Sequence, residues 1–168
     1  PMLMNLAIAQ VQIENYPAAD SAYVALFDQY PSYAPAYLSR SQFNLMRGDT
    51  IAARADVDKA IEYDKNMAPA YQIRAHIRMK HDADYNGALE DMNMAVRLEP
   101  QSPTAYINRA LVRYYMDDLR GAMADYDYVL IIAPGNIMAH YNRGLLRMQV
   151  GDRNRAIEDF TAVLTQEP

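Results

Sequence analysis

The stretch at residues 103–134 decides the fold, and it reads PTAYINRALVRYYMDDLRGAMADYDYVLIIAP. Its apolar residues recur at the spacing of an α-helix, so that Met123, Tyr126 and Leu130 share one face. The helical pattern breaks once, at residues 116–118, where two aspartates follow a methionine. Because aspartate is a favoured helix N-cap, the stretch is predicted to form two helices joined by a tight turn.

The same pattern recurs along the whole chain. Alanines at matching positions are separated by 34, 35, 34 and 34 residues, a bulky residue follows each of them four positions later, and a second row of small residues accompanies them. The three rows are Ala19, Ala53, Ala88, Ala122 and Ala156; Tyr23, Val57, Met92, Tyr126 and Phe160; and Ala7, Ser41, Ala75, Ala110 and Gly144. A fixed period of this length predicts a repeat architecture. The five predicted units are 1–33, 34–67, 68–102, 103–136 and 137–168.

The turn residues support two helices in each unit. Gly48-Asp49 and Gly151-Asp152 place a left-handed helix stop directly before an N-cap. Each helix is predicted to have roughly 13 residues and a length of about 20 Å.

Small residues are expected where the two helices of a unit approach each other. A side chain larger than Ala53 or Ser41 would hold the backbones apart, and such overpacking typically costs ~1–3 kcal/mol. The bulky row is expected to fill the space between neighbouring units. Since no unit can bury that face alone, stability is predicted to come from stacked neighbours.

The period, the two-helix unit and the residue rows together resemble the tetratricopeptide repeat (TPR) family over essentially the whole chain. The family pattern is present in the fourth unit at Tyr106, Ala110, Tyr114, Ala122, Tyr126 and Pro134, and in the last unit at Gly144, Ala156, Phe160 and Pro168. The chain departs from the pattern in having no Trp. The resemblance implies an all-α fold, an α-solenoid in which about ten helices form a right-handed superhelix. It also implies a single array over residues 1–168, which we expect to be an excerpt of a longer array or protein.

A row of arginines and a row of aspartates run in phase through four units. An Arg guanidinium can bind a carboxylate through two parallel hydrogen bonds across an antiparallel helix pair, so one charge pair is predicted inside each of these units. The predicted pairs are Arg40 with Asp56, Arg74 with Asp91, Arg109 with Asp125, and Arg143 with Asp159. In the alternative interpretation these arginines line a groove for an acidic or phosphorylated partner; the acid in phase with each arginine favours the structural role.

A second row, Arg78, Arg113 and Arg147, has no assigned partner, and either turn carboxylates or a ligand could bind it.

The resemblance implies that the first helices of successive units line a concave groove in which a peptide or a partner helix binds. In this sequence the corresponding residues are unusually apolar and rich in Met, whose flexible thioether adapts to varied apolar partners. An exposed apolar patch usually marks an interaction surface, although part of this stripe could instead be interior packing. The candidate contact residues are Asn5, Gln42, Gln72, His76, Lys80, Asn108, Leu111, Tyr114, Tyr115, Tyr141, Asn142 and Gln149.

Three asparagines, Asn5, Asn108 and Asn142, recur at one phase of this face. Similar asparagines in some TPR proteins hold the main chain of an extended peptide, because a carboxamide both donates and accepts hydrogen bonds. The alternative is that they are solvated. Where TPR adaptors of heat-shock chaperones carry a Lys/Asn clamp, this chain has Met4, Ile8, Leu38 and Gln42, which argues against such an adaptor.

The composition excludes several other functions. The net charge of −5 argues against a nucleic-acid surface, and the lack of cysteine excludes disulfides and thiolate chemistry. His76, His81 and His140 have no metal-ligand spacing and are predicted to be surface or groove residues. We therefore predict no catalytic site, no cofactor and no metal, and thus no enzyme. No signal segment or membrane span is recognised, so a soluble protein, cytoplasmic or exported, is expected.

The alternative function is a structural or self-association segment. The second helix of the last unit presents Ile157, Phe160 and Leu164 with no following helix in this chain to cover them. TPR arrays usually end in a polar capping helix, so this face predicts either further repeats or a homodimer through the C-terminal repeat.

Overall fold

The computed structural model describes residues 2–165, and it is helical throughout, with no β-strand in that part of the chain. The chain divides into two compact units, residues 1–82 and residues 83–168, which are described separately below. The first contains α1 (Met2–Gln12), α2 (Tyr16–Gln29), α3 (Ala34–Met46), α4 (Thr50–Tyr63) and α5 (Ala68–His81). The second contains α6 (Tyr85–Leu98), α7 (Pro103–Tyr115), α8 (Leu119–Ile132), α9 (Ile137–Gln149) and α10 (Arg153–Leu164). The predicted all-α fold of paired helices is confirmed; the repeat position at Pro168 lies outside the described residues.

The turns inside the helix pairs share one backbone design. Gly48 and Gly151 adopt φ angles of 78° and 85°, and the aspartate that follows each of them caps the next helix. The Asp49 carboxylate accepts a hydrogen bond from the Ala52 N–H at 3.0 Å. The turn before α8 reaches the same geometry without glycine, since Asp117 has a φ angle of 61°. The Gly-Asp turns predicted from the sequence are confirmed.

Close helix approach in the first unit depends on small side chains. Ala7, Ala19 and Ala53 are fully buried, and the Ser41 hydroxyl donates to the Ala53 carbonyl at 2.7 Å across the α3–α4 pair. The prediction that Ser41 faces Ala53 is thus confirmed, and the contact fixes the depth at which α3 and α4 pack.

The second compact unit has the same close approach of paired helices, with a glycine in the row of small residues. A Cβ atom added to Gly144 would lie 2.7 Å from Cε1 of Phe160, so only glycine admits that ring between α9 and α10. Ala110 and Ala122 are fully buried between α7 and α8, and Tyr126 packs into the same core. Gly144 and Phe160 are thus matched within one helix pair, whereas Tyr23 of the bulky row reaches the next pair, where its ring stacks on Phe43 at a centroid distance of 6.1 Å.

Candidate functional site

The α3–α4 pair contains a buried carboxylate held by an arginine fork. Arg40 donates from Nε to Oδ2 of Asp56 at 2.8 Å and from Nη2 to Oδ1 at 2.6 Å. Asn44, one helical turn further along α3, donates its amide to Oδ2 at 2.9 Å. Asp56 is only 3% exposed, so these bonds replace the water that a free carboxylate would bind.

The second unit contains two further pairs of the same kind. Arg109 binds Asp125 through Nε at 3.0 Å and Nη2 at 2.6 Å, and Arg143 binds Asp159 at the same two distances. Both aspartates are buried. These pairs, with Arg40 and Asp56, are those that the in-phase rows predict. Arg74 and Asp91 belong to one predicted repeat but to different compact units of the structure, and their pairing stays a prediction.

The second arginine row binds the same aspartates in the second unit. Nη1 of Arg113 lies 2.9 Å from Oδ2 of Asp125, and Nη1 of Arg147 lies 2.8 Å from Oδ2 of Asp159. The turn carboxylate considered from the sequence, Asp118, lies 3.8 Å from Nε of Arg113. The signal that could have revealed this is the four-residue spacing between the two arginine rows, which puts both on one helix face.

The first arginine row also connects neighbouring helix pairs. Arg143 donates from Nη1 to Asp127 of α8 at 2.7 Å, and Arg109 donates from Nη1 to Asn93 of α6 at 3.1 Å. Arg40 lies over the Phe27 ring of α2, with Cζ 4.4 Å from its centroid. Each of these arginines therefore joins a helix pair internally and to the helix before it.

His140 completes the cluster around Asp159, so the prediction of a surface or groove position is wrong for this histidine. Its Nδ1 lies 2.9 Å from Oδ1 of Asp159, and its Nε2 lies 2.9 Å from the Pro134 carbonyl oxygen. Burial by itself raises the pKa of Asp159, but hydrogen bonds from Arg143 and His140 outweigh it and hold that pKa below its usual value of 3.8. Asp159 is therefore charged at neutral pH.

A hollow in the first unit lies between the first helices α1 and α3. Its volume is about 230 Å³, and Tyr23 of α2 forms part of its lining. The Tyr23 hydroxyl and the Ser39 Oγ are hydrogen bonded at 2.8 Å, and burial raises the pKa of that phenol. The lining residues are Ile8, Val11, Gln12, Tyr23, Ser39, Gln42, Phe43 and Met46.

The other groove candidates of the first unit lie outside this hollow. Asn5 is exposed on α1, while Gln72 is half-buried and His76 and Lys80 are exposed on α5. Partial burial, followed by the charges of Lys80 and His81, lowers the pKa of His76. Of the first-unit contact candidates, only Gln42 lines the hollow.

A larger hollow in the second unit lies between α7 and α9, with Tyr126 of α8 in its lining. Its volume is about 420 Å³, within the range of ligand-binding cavities. The lining residues are Leu111, Tyr114, Tyr126, Asn142, Leu145, Leu146 and Gln149. Four of them are candidates predicted from the sequence, namely Leu111, Tyr114, Asn142 and Gln149.

Three second-unit candidates lie elsewhere. Tyr115 is exposed beside the hollow, stacked on Tyr85 at a centroid distance of 5.9 Å. The Tyr141 ring lies 6.2 Å from the ring of Phe160, and Asn108 is half-buried on α7. Neither Tyr23 nor Tyr126 is among the lining residues predicted from the sequence, because the bulky row is predicted to fill the space between neighbouring repeats.

Within residues 2–165, His, Asp and Glu side chains form no group of three that could hold a metal ion. Within the same residues, no helix is long and apolar enough to cross a bilayer.

Comparisons with known proteins agree with this geometry. The repeated helix pairs and the hollows between their first helices define a helical-repeat protein, a class whose members act as protein-interaction scaffolds. Sequence models of the tetratricopeptide repeat match residues 4–68 and residues 139–168, which together make up more than half of the chain. The chain belongs to the tetratricopeptide repeat family.

Solved structures share the fold. MamA from Desulfovibrio magneticus RS-1 superposes with a TM-score of 0.86 at 18% identity, over 99% of this chain and 93% of that one. YrrB, described as a TPR protein with an unusual peptide-binding site, gives 0.77 at 18% identity over 97% and 84% of the two chains. The first TPR domain of Spaghetti (RPAP3), bound to the HSP90 peptide SRMEEVD, gives 0.65 at 22% identity over 70% and 92%. At these identities the likeness establishes the fold alone. No curated protein sequence matches the chain.

Removal of one buried carboxylate is expected to destabilise the second unit strongly. Asp125→Ala leaves Arg109 and Arg113 without their shared partner inside the helix pair, so we expect a loss of ~3–5 kcal/mol in urea unfolding. The matched control is Asp127→Ala, whose side chain is half-exposed and should cost ~1 kcal/mol or less. Equal losses in the two variants would contradict a structural role for the buried pair.

Stability should also depend on pH through Asp159. Because its pKa is lower in the folded protein, the unfolded chain takes up the proton first, and the contribution of Asp159 declines as the pH falls below about 4. The difference in unfolding free energy between wild type and Asp159→Asn should therefore be largest near about pH 7 and shrink toward about pH 3. A difference that stays constant over this range would show that the carboxylate charge has no such role.

Proposed function

We propose that this chain is a non-catalytic protein-interaction scaffold that binds a peptide or a partner helix in the groove along its first helices. The observation that carries the proposal is the open hollow between successive first helices in each unit.

The exposed surface at the second hollow supports this function. Leu111 and Leu145 are 39% and 47% exposed, and Tyr114 is comparably exposed, so apolar area lies open to solvent on one face. Burial of such area on binding contributes roughly 25 cal/mol per Å². Asn142 adds a carboxamide in the same lining, where it can pair with a peptide main chain.

The comparisons support a peptide as the partner, and the lining of the hollows indicates how that peptide would differ from the one that RPAP3 binds. YrrB is described as having a peptide-binding site, and the RPAP3 domain holds the peptide SRMEEVD, which carries three acidic residues. Among the described residues that line either hollow here, none is charged. The partner segment proposed for this chain is therefore apolar and uncharged at its anchoring positions.

A groove variant should abolish peptide binding without unfolding the chain. A displayed library of random peptides would be selected on the wild type and counter-screened on a Leu111→Asp, Tyr115→Ala double variant. We expect the selected peptides to lose at least tenfold in affinity, since a buried unpaired carboxylate is strongly unfavourable.

The matched control is Ile131→Asp on α8, whose side chain is 73% exposed and does not line the hollow. It should bind the selected peptides as the wild type does, and circular dichroism should show the same helicity for all three proteins. Peptides that bind the double variant unchanged would place the binding surface elsewhere.

The second candidate function is self-association through the last helix pair. Ile157 and Leu164 of α10 are 60% and 69% exposed, which favours a further contact on this face. Phe160, by contrast, is partly engaged with Gly144 inside its own helix pair.

Light scattering of an Ile157→Asp variant tests self-association. If two chains pair through α10, the wild type should scatter as a dimer and the variant as a monomer, because the charge would be buried without a partner. If the wild type is already a monomer, self-association through α10 is refuted, and the peptide-binding proposal is unaffected.

A further inference from the structure

The lining of the second hollow contains a hydroxyl that the fold leaves without a partner. Tyr126 is 5% exposed, and it borders the hollow from α8. Within residues 2–165 its hydroxyl has no hydrogen-bond partner, and the same holds for the side chain of Asn142 in the same lining. The hydroxyl is not enclosed, because the buried side-chain atom without a partner in this part of the chain is Oε1 of Gln10, so water can reach it from the hollow. An occupant that fills the hollow removes that water, and it binds more tightly if it supplies the lost hydrogen bond.

The corresponding hollow of the first unit does not have this feature. There Tyr23, at the same repeat position as Tyr126, is hydrogen bonded to Ser39 Oγ at 2.8 Å. Asn142 occupies the repeat position of Ser39, and no such bond forms in the second unit. In the first hollow the tyrosine hydroxyl is therefore hydrogen bonded within the fold. In the second hollow the tyrosine hydroxyl and the asparagine amide are free to bond an occupant.

The remaining walls restrict the chemistry of that occupant. Leu111, Leu145 and Leu146 give the hollow apolar sides, and no charged residue of the described chain lines it. Burial raises the pKa of Tyr126 to about 12, with Asp125 adding to the effect, so the phenol stays protonated and can donate. An anionic or cationic group would enter without a counter-charge, at a large cost.

We infer that the second hollow selects the side chain of a tyrosine, presented by an extended and locally uncharged peptide segment, through a hydrogen bond to the Tyr126 hydroxyl. This inference rests on the proposed function and names the anchor residue of its partner. A tyrosine ring fills the apolar sides, and its hydroxyl both donates and accepts. Phenylalanine offers no hydrogen bond, and the tryptophan indole only donates.

Two small probes test this chemistry directly. N-acetyl-tyrosine amide and N-acetyl-phenylalanine amide would be titrated separately, and binding followed by the NMR methyl shifts of Leu111, Leu145 and Leu146. Because both probes are neutral and differ by one hydroxyl, the ratio of their affinities isolates the proposed bond. We expect the tyrosine amide to bind about fivefold more tightly, the effect of one net hydrogen bond.

Two isosteric variants complete the experiment. In Tyr126→Phe the preference for the tyrosine amide should disappear while the phenylalanine amide binds as before. The matched control, Tyr23→Phe, removes the hydroxyl that Ser39 already satisfies and should keep the fivefold preference. N-acetyl-tyrosine with its free carboxylate should bind less tightly than the amide.

Three outcomes would overturn the inference: equal affinities for the two amides in the wild type, a preference that survives in Tyr126→Phe, or no methyl shift with either amide. They are separate from failure of the proposed function. A chain that selects library peptides but treats the two amides alike is still a scaffold with a different anchor, whereas a chain that selects none has no peptide-binding groove.

Discussion

The buried carboxylate in the second helix of a repeat is the interaction on which the rest of this structure depends. In the α3–α4, α7–α8 and α9–α10 pairs an aspartate lies within the core and receives two hydrogen bonds from one arginine of the partner helix. A carboxylate in that environment is unfavourable unless its partners are in place. It therefore favours the observed register of the two helices, because a shift of one turn would break the two-bond contact with the arginine and leave the buried carboxylate with fewer partners.

That register also determines where the two hollows lie. The aspartate and the small residues fix the position of the second helix. The residue of the bulky row, four positions after the repeated alanine, then lies between the first helices. Tyr23 and Tyr126 both do so, and each lines a hollow. The contacts that stabilise the helix pairs therefore also position the candidate binding surface. The arginines that could have bound a ligand instead bind side chains of the fold.

The two hollows differ in their hydrogen bonding although the same arrangement of helices forms both. A serine in one and an asparagine in the other face tyrosines at the same repeat position, yet only Ser39 forms a hydrogen bond with its tyrosine. The repeat preserves the helix arrangement, while single residues in the lining change the hydrogen-bonding groups that each hollow presents.

The period, the small and bulky rows, the Gly-Asp turns and the pairing of Arg40 with Asp56 could all be predicted from the sequence, because each is a local pattern repeated at one interval. The partners of His140, Arg113 and Arg147 do not follow from the period in the same way. The four-residue spacing puts both arginine rows on one helix face, but which carboxylate each of these side chains reaches depends on how two helices cross. Nor could the sequence distinguish a satisfied tyrosine from an unsatisfied one. That depends on fractions of an ångström between side chains on different helices, which only the tertiary structure decides.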